Sequence, residues 1–554
     1  MGNPIVSSTT ITWKDRGLGR YGSVELTLLD NYAIGVPHPQ NYYEYDPLTK
    51  APPSDPAAWP SAEDPLGLFY YIDNTHGSAT DTANTYGYPN QPRLTIPNGT
   101  FPAGTVIYVK GGGSAYTTAI RFDMTFNGTV QNPCFLIAVS GTAPKADKEF
   151  RFFGGSHLII DGWETVRNTL VVFNFHYDYS WEFMTVRDCT LVGNSAQTNG
   201  NVIDAKGVSN SDKSGYLTLA NCTINNWGEN LSTSPQNDMH AFKPDSNIDY
   251  IWYLGNTLTN LGGDCIQVGS GSTPYADVCQ YVYIAKNDMS NTLENAVDLK
   301  RCKDVIISEN DMYDFKQVNS VTDDTFAATV VHSNTDWATF IANRIWDSGV
   351  AMSNTDGTNV HFICNEVWNI NPVGTYTASS AFTTGSMCEV RGTSSGTIAN
   401  NTLFDYSKGI QIQANLDLQI FNNIFAERNR SDGYELQYAT SGDYAAGDND
   451  YNIYYNPVET TEFKRGSTVE SLATYQTSTS REANAQTGDP DFTNTTTNDY
   501  TISASSSARN NARMDAIYAA LESRYPGIDF TVDIAGIERP KGSAWDMGAN
   551  EYDE

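Results

Sequence analysis

The chain has 554 residues, with 33 Lys and Arg against 64 Asp and Glu, a formal net charge of −31. So acidic a chain lacks the clustered cations that nucleic acid or an anionic membrane requires, and no stretch approaches the ~18–20 apolar residues of a membrane span. Aromatic residues at 12% supply a large core, and a length that would make two to four globules can instead be wound into one solenoid.

Residues 1–68 are irregular and rich in proline (Val36-Pro37-His38-Pro39, Ala51-Pro52-Pro53, Ala58-Trp59-Pro60). They are expected to form an N-terminal wrap or cap. Met1-Gly2-Asn3-Pro4 has neither the basic start nor the apolar core of a signal peptide. The expectation is a trimmed form of a secreted, extracellular protein, or a phage protein released by lysis. Val6 stands where a myristoylation signal needs Ser or Thr.

Strand-like runs begin at Phe69-Tyr70-Tyr71-Ile72 and Thr105-Val106-Ile107-Tyr108-Val109, with a turn at Pro97-Asn98-Gly99-Thr100 between them. His157-Leu158-Ile159-Ile160-Asp161-Gly162 opens a regular repeat that runs to about Asn456. Its unit is a short β-rich run closed by Asn, or by Cys in the first copy: LTLANCTI, WYLGNTLT, VYIAKNDM, VIISENDM, TFIANRIW, HFICNEVW, TIANNTLF, IFNNIF. Aligned, these give one column of Cys222, Asn256, Asn287, Asn310, Asn343, Asn365, Asn401 and Asn423, with Cys189 heading a further copy. The steps are roughly 22–36 residues with a recurring floor near 22, as a coil of constant circumference with optional loops requires. Asn tolerates left-handed turns, and stacked carboxamides about 4.8 Å apart can satisfy one another inside such a coil. From Pro457 the repeat fades, and residues 457–554 are expected to cap the solenoid, with a helix over 508–524 carrying Met514, Ile517, Tyr518 and Leu521 at helical spacing. The eight cysteines show no zinc spacing and read as buried thiols.

Gly262-Gly263-Asp264-Cys265-Ile266-Gln267-Val268, Glu294-Asn295-Ala296-Val297-Asp298-Leu299-Lys300 and Asp546-Met547-Gly548-Ala549-Asn550-Glu551 resemble motifs of right-handed parallel β-helix proteins of the pectate-lyase-like superfamily. The resemblance covers roughly residues 69–551. It implies an all-β, right-handed parallel β-helix solenoid, with 1–68 as wrap, 69–456 as helix and 457–554 as capping region. Polysaccharide lyases, glycoside hydrolases, epimerases, phage tailspikes and adhesins share that fold, so it implies no single activity.

Alternate residues of a β-helix strand face outward, so successive coils stack them into columns on one face. Val297 and Leu299 then face in, leaving Asp298 and Lys300 out. Ile266 and Val268 face in, leaving Gln267 out with Asp264 at the strand entrance. Phe242 faces in beside outward His240 and Lys243, and His332 falls over Lys300. The candidate site is therefore His240, Lys243, Asp264, Gln267, Glu294, Asp298, Lys300, Arg301 and His332, walled by the excess residues after Cys222, Asn256 and Asn310. A lone Lys or Asp on a solenoid is ordinarily a solvated residue, and Asp298 with Lys300 can be a surface ion pair worth ~0–1 kcal/mol. Convergence on one face is what points to chemistry.

Two chemistries suit the face. In β-elimination on a uronic-acid polymer, the reading placed first, Lys300 or His332 is the base and Arg301 or Lys243 the neutraliser of the carboxylate. Calcium held by Asp264, Glu294 and Asp298 is a further expectation. In hydrolysis, the alternative, two carboxylates such as Asp264 and Asp298 straddle the glycosidic oxygen. The acidic surface disfavours a polyanion. Trp346 and Trp368 read as stacked core aromatics, and Trp227 as the sugar contact. A non-catalytic binder is the reading from another class. The expected partner is a polysaccharide, with no nucleic acid or membrane. The chain is expected to be a monomer, or a trimer if it is a phage depolymerase.

Overall fold

The computed structural model describes residues 9–15, 20–26, 32–39, 69–82, 86–117, 121–129, 132–139, 141–166, 171–176, 178–194, 196, 200–209, 212–228, 238–271, 278–315, 327–371, 385–413, 417–429, 433–440, 448–457, 460 and 462–553. The prolines at 52, 53, 56 and 60, and most of the loop excess after Cys222, Asn256 and Asn310, lie outside these residues.

The chain is a parallel β-helix. Each coil lays one strand on each of three faces. The first sheet stacks Gly200–Ala205, Met239–Pro244, Ile266–Gly269, Val297–Lys300, Ala327–His332, Val350–Asn354 and Ser386–Val390, and continues to Glu462–Arg465. The second runs from Phe69–Ile72 through Val106–Val109, Cys134–Ala138 and Phe150–Asp161 to Asn449–Asp450. The third is an 11-stranded sheet from Glu164–Val166 to Ile453–Tyr455. Register keeps like over like: Phe242, Ile266 and Val297 follow one another, as do Val268, Leu299 and Val331. These six are fully buried, each burial stabilising the coil by ~1.5–3 kcal/mol.

The corner between the second and third sheets explains the Asn column. The residue before each column member, from Asp188 and Asn221 through Ala342 to Tyr451, has φ between 52 and 62°. The left-handed residue that bends the chain is thus one position earlier than expected. The Asn itself turns inward and builds a ladder. Asn343 is typical: its Oδ1 accepts the backbone N–H (3.0 Å) and the Nδ2 (2.9 Å) of Asn310, and its Nδ2 donates to Ile307 O (2.9 Å) and Asn365 Oδ1 (3.0 Å). The ladder starts where Cys222 N donates to Asn256 Oδ1. It continues beyond Asn423 to Asn452, whose Nδ2 donates to Glu482 Oε1 at 2.9 Å. Asn452 and Glu482 extend the column read from sequence. All eight cysteines are free and buried.

The C-terminal region departs from expectation. Helix Leu472–Thr479, not foreseen, seals the end of the coil, with Tyr475 stacked on Phe463 at 4.5 Å. The foreseen helix spans only Ala516–Arg524, because Asp515 caps it by accepting from Ile517 N. Met514 lies outside it and is 68% exposed. This helix does not cover an open end. It lies along the second face, where Tyr518 Oη donates to Asn400 Oδ1 (2.7 Å) and Arg524 Nε to Asp304 Oδ1 (2.6 Å). The tail returns over the corners, Asn400 Nδ2 donating to Asp546 O and Asn550 Nδ2 to Glu366 Oε1. Residues 32–39 share that flank: Ile34 N donates to Glu309 Oε1 and Trp252 Nε1 to Pro37 O.

Candidate active site

The outer surface of the first sheet carries a cleft of about 480 Å³, lined by Gly200, Asn201, Asp238, His240, Lys243, Gln267, Glu294 and Lys300. Five of the sequence candidates therefore converge. They do so because parallel pairing sets Asn201 beside His240, Asp204 beside Lys243, and Gln267 beside Asp298.

Gly263 seats the cleft floor: a Cβ there would lie 2.7 Å from Met239 N and 2.8 Å from His240 Nδ1. The imidazole is thus pressed against the Asp264 turn, whose backbone N–H donates to His240 Nδ1 at 3.0 Å. With Nδ1 accepting, Nε2 carries the ring proton. Burial lowers the His240 pKa to about 4. Nδ1 also lies 3.2 Å from Asp264 Oδ2, and burial, then the charge of Asp298, raise the Asp264 pKa. Glu294 is 3.8 Å from His240 Nδ1. Burial, reinforced by Asp264, raises its pKa to about 9, so at neutral pH Glu294 is a protonated acid facing the cleft.

Asp298 behaves in the opposite way. Lys300 Nζ donates to its Oδ2 at 2.6 Å and His332 Nε2 lies 2.9 Å from its Oδ1. Burial works against its charge, but the His332 hydrogen bond and the Lys300 charge outweigh burial and lower its pKa. The reverse holds for Lys300: burial opposes its charge, and Asp298 overcomes that and raises its pKa. Lys300 is therefore a fixed ammonium rather than the expected base. Lys243 and Gln267 have no hydrogen-bond or ion-pair partner among the described residues, and Gln267 is only 4% exposed. Their polar ends are left to the cleft.

Several expectations need correction. Trp227 is not a sugar contact. It is fully buried, its Nε1 donating to Leu191 O at 3.0 Å, because its side falls inward on the third sheet. Arg301 does not line the cleft. It sits in a left-handed turn (φ 55°) with Nε directed at Ser333 O, 3.4 Å away. Asp264 is 0% exposed and cannot straddle a glycosidic bond. Trp346 and Trp368 do stack, at 4.8 Å and 4°, but half-buried on the outer side of the third sheet beside Tyr313.

The calcium set Asp264, Glu294 and Asp298 does not fit that ion. Both oxygens of Asp298 are engaged, and Asp264 Oδ1 accepts from Asn295 N at 3.0 Å. The group whose ligand atoms do approach within 4.8 Å of one another is Asp238, His240 and Glu294. Asp238 and Asn201 were missed in the sequence. Asp238 stands just before strand Met239–Pro244, in a left-handed turn (φ 40°) that strand alternation does not describe. Asn201 lies in a coil that lacks the Asn-column motif.

No protein-family model and no curated protein sequence matches the chain. Solved structures are similar. Pectate lyase Pel9A shares 12% identity over 87% of this chain and 96% of its own, with a TM-score of 0.35. The catalytic domain of GH87 alpha-1,3-glucanase in complex with nigerose shares 13% over 77% and 69%, at 0.39. XylC in complex with xylose shares 10% over 87% and 98%, at 0.41.

Proposed function

We propose that the chain is an extracellular polysaccharide-cleaving enzyme that hydrolyses a glycosidic bond with Glu294 as proton donor. One arrangement carries this reading: in the cleft the buried Glu294 carboxyl, whose pKa burial raises to about 9, lies within 4.8 Å of a second, exposed carboxyl group, that of Asp238. One carboxyl buried and its neighbour exposed is the contrast of environment that suits an acid and its partner. The short gap leaves no room for an intervening water and corresponds to the closely spaced pair of retaining enzymes, in which the second carboxylate attacks the anomeric carbon. Glu294 gives its proton to the leaving oxygen, Asp238 meets the oxocarbenium-like carbon, and Glu294 then accepts a proton from the incoming water. His240, through Nε2–H, and Gln267 are hydrogen-bond donors to sugar hydroxyls, and Lys300 is an electrostatic fixture held by Asp298.

Elimination is the second reading. It is favoured by Lys243, whose uncommitted ammonium in the cleft would neutralise a uronate carboxylate. Its weakness is the base: Lys300 is held charged by Asp298, and His332, the other candidate, turns Nε2 to Asp298 at 2.9 Å and does not line the cleft.

The test is incubation with neutral glucans, galactans, pectate and alginate, following reducing ends and ultraviolet absorbance together. Hydrolysis gives reducing ends without absorbance. Absorbance in step with reducing ends would replace the first reading by the second, and neither signal on any polymer would leave a binding protein.

A further inference from the structure

We infer that the cleft reads an acidic sugar: Lys243 and Gln267, with Lys300 beyond them, seat a carboxylate or sulfate ester carried by a ring next to the cleaved bond. The cleavage rests on the function proposed above; the anion seat does not. The cleft is bipolar along its strands. Its carboxyl groups, Asp238 and Glu294, stand just before strands Met239–Pro244 and Val297–Lys300, and its ammonium groups, Lys243 and Lys300, stand where those strands end. Lys243 lies three residues beyond His240, about 10 Å along the strand, so the cations are set to one side of the carboxyl pair. Register pairs Phe242 with Ile266, which makes Lys243 and Gln267 neighbours on adjacent rungs, and Gln267 in turn pairs with Asp298.

Lys243 and Gln267 are placed but unused. The Gln267 side chain is only 4% exposed and faces the cleft without a hydrogen-bond partner among the described residues. A buried amide in that state costs free energy, which a ligand accepting from its N–H returns. Lys243 contrasts with its counterparts. Lys110, Lys206, Lys213, Lys286 and Lys300 each meet a carboxylate at 2.6–3.5 Å, as 64 acidic residues against 33 basic ones make easy. Lys243 meets none among the described residues. Asp204, on the neighbouring rung, turns its Oδ1 to Asn201 Nδ2 (3.1 Å), and Asp245, two residues on, is taken by Lys206 (2.7 Å). A half-buried ammonium kept from every carboxylate, beside an orphaned amide donor, complements an anion with several acceptor oxygens. Lys300 adds charge without being free to move, since Asp298 holds it at 2.6 Å. The negative charge of the whole chain repels a polyanion at long range, but salt screens that beyond about 8–10 Å, and the seat acts at contact.

The test is equilibrium binding of thio-linked oligosaccharides, which resist hydrolysis, to the full chain. Galacto-, gluco- and manno-configured series are each offered in neutral, 6-carboxylate and 6-sulfate forms. One anionic form should bind about 10–100-fold tighter than its neutral counterpart, the share of a charge-assisted hydrogen bond, and that margin should shrink as salt rises. Whether carboxylate or sulfate binds tighter names the substituent. Lys243→Met should erase the margin without moving the melting temperature, because the side chain holds nothing in the free protein; Lys243→Arg should keep most of it. Gln267→Glu, which hands Lys243 a carboxylate partner, should erase it independently. Equal affinity for neutral and anionic forms in every series, no binding in any, or a margin that survives both Lys243→Met and Gln267→Glu overturns the inference. An anionic preference without reducing ends from the matching natural polymer keeps the seat and defeats the cleavage. Reducing ends from neutral and acidic polymers at equal rates keep the cleavage and defeat the seat.

Discussion

Asn343→Ala probes the device on which the winding depends. The carboxamide makes four hydrogen bonds, two accepted from Asn310 and one donated each to Ile307 O and Asn365 Oδ1. The substitution leaves the Asn310 backbone N–H without its acceptor in a fully buried corner, at about 1–3 kcal/mol, and removes three further bonds at about 0.5–1.5 kcal/mol each. A loss of about 3–6 kcal/mol is expected, large against the 5–15 kcal/mol that typically separates folded from unfolded domains. Urea denaturation followed by circular dichroism measures the loss, and hydrogen exchange reads the Asn310 amide, whose protection should collapse first. Cys222→Ala, at the ladder's first position, should cost little more than the packing of its thiol, because Sγ makes weak contacts to Ala220 O (3.3 Å), Val186 O (3.8 Å) and the Cys189 thiol. A loss below about 1 kcal/mol in Asn343→Ala, with Asn310 protection unchanged, would refute the ladder as a source of stability.

Glu294→Gln is expected to lower kcat by about 10²–10⁴, the usual share of a positioned proton donor, and the wild-type rate should fall as pH rises through about 9, where the Glu294 carboxyl ionises; an alkaline limb unchanged in the variant would count against the assignment. Glu482 tests linkage away from the cleft: burial raises its pKa to about 8, while in the unfolded chain it ionises near 4.5. The folded state therefore keeps a proton that the unfolded state releases, and its contribution to stability is full below pH 4.5 and is lost as pH rises to about 8. Glu482→Gln should flatten that slope in melting temperature against pH, and a slope equal to wild type would reject the account. Added calcium should leave the melting temperature unmoved, because the Asp298 oxygens are held by Lys300 and His332; a rise that grows with calcium concentration would show a site of a different donor set.

The repeat was legible because a β-helix writes its geometry locally. Each corner needs the same side chain at the same phase, so Asn256 through Asn423 can be aligned without any knowledge of what they touch. Alternation within a strand likewise sorted Asp298 and Lys300 from Val297 and Leu299, and set His332 over Lys300. Both signals weaken where loops break the period, which is why Asn452, Asn201 and Asp238 escaped notice. Trp227 was misplaced for a related reason: its neighbours read as a loop, but it belongs to strand Thr223–Trp227 and points inward.

Protonation and reach were decided only in three dimensions. Asp264, Glu294 and Asp298 are three carboxyl groups within thirty-five residues, and the sequence alone treats them alike. Folding buries Asp264 out of contact with any sugar, leaves Glu294 neutral against His240, and gives Asp298 two cationic or hydrogen-bonding neighbours that keep it charged. Ionisation depends on desolvation and on charges a few ångströms away, and those distances arise between coils rather than along the chain.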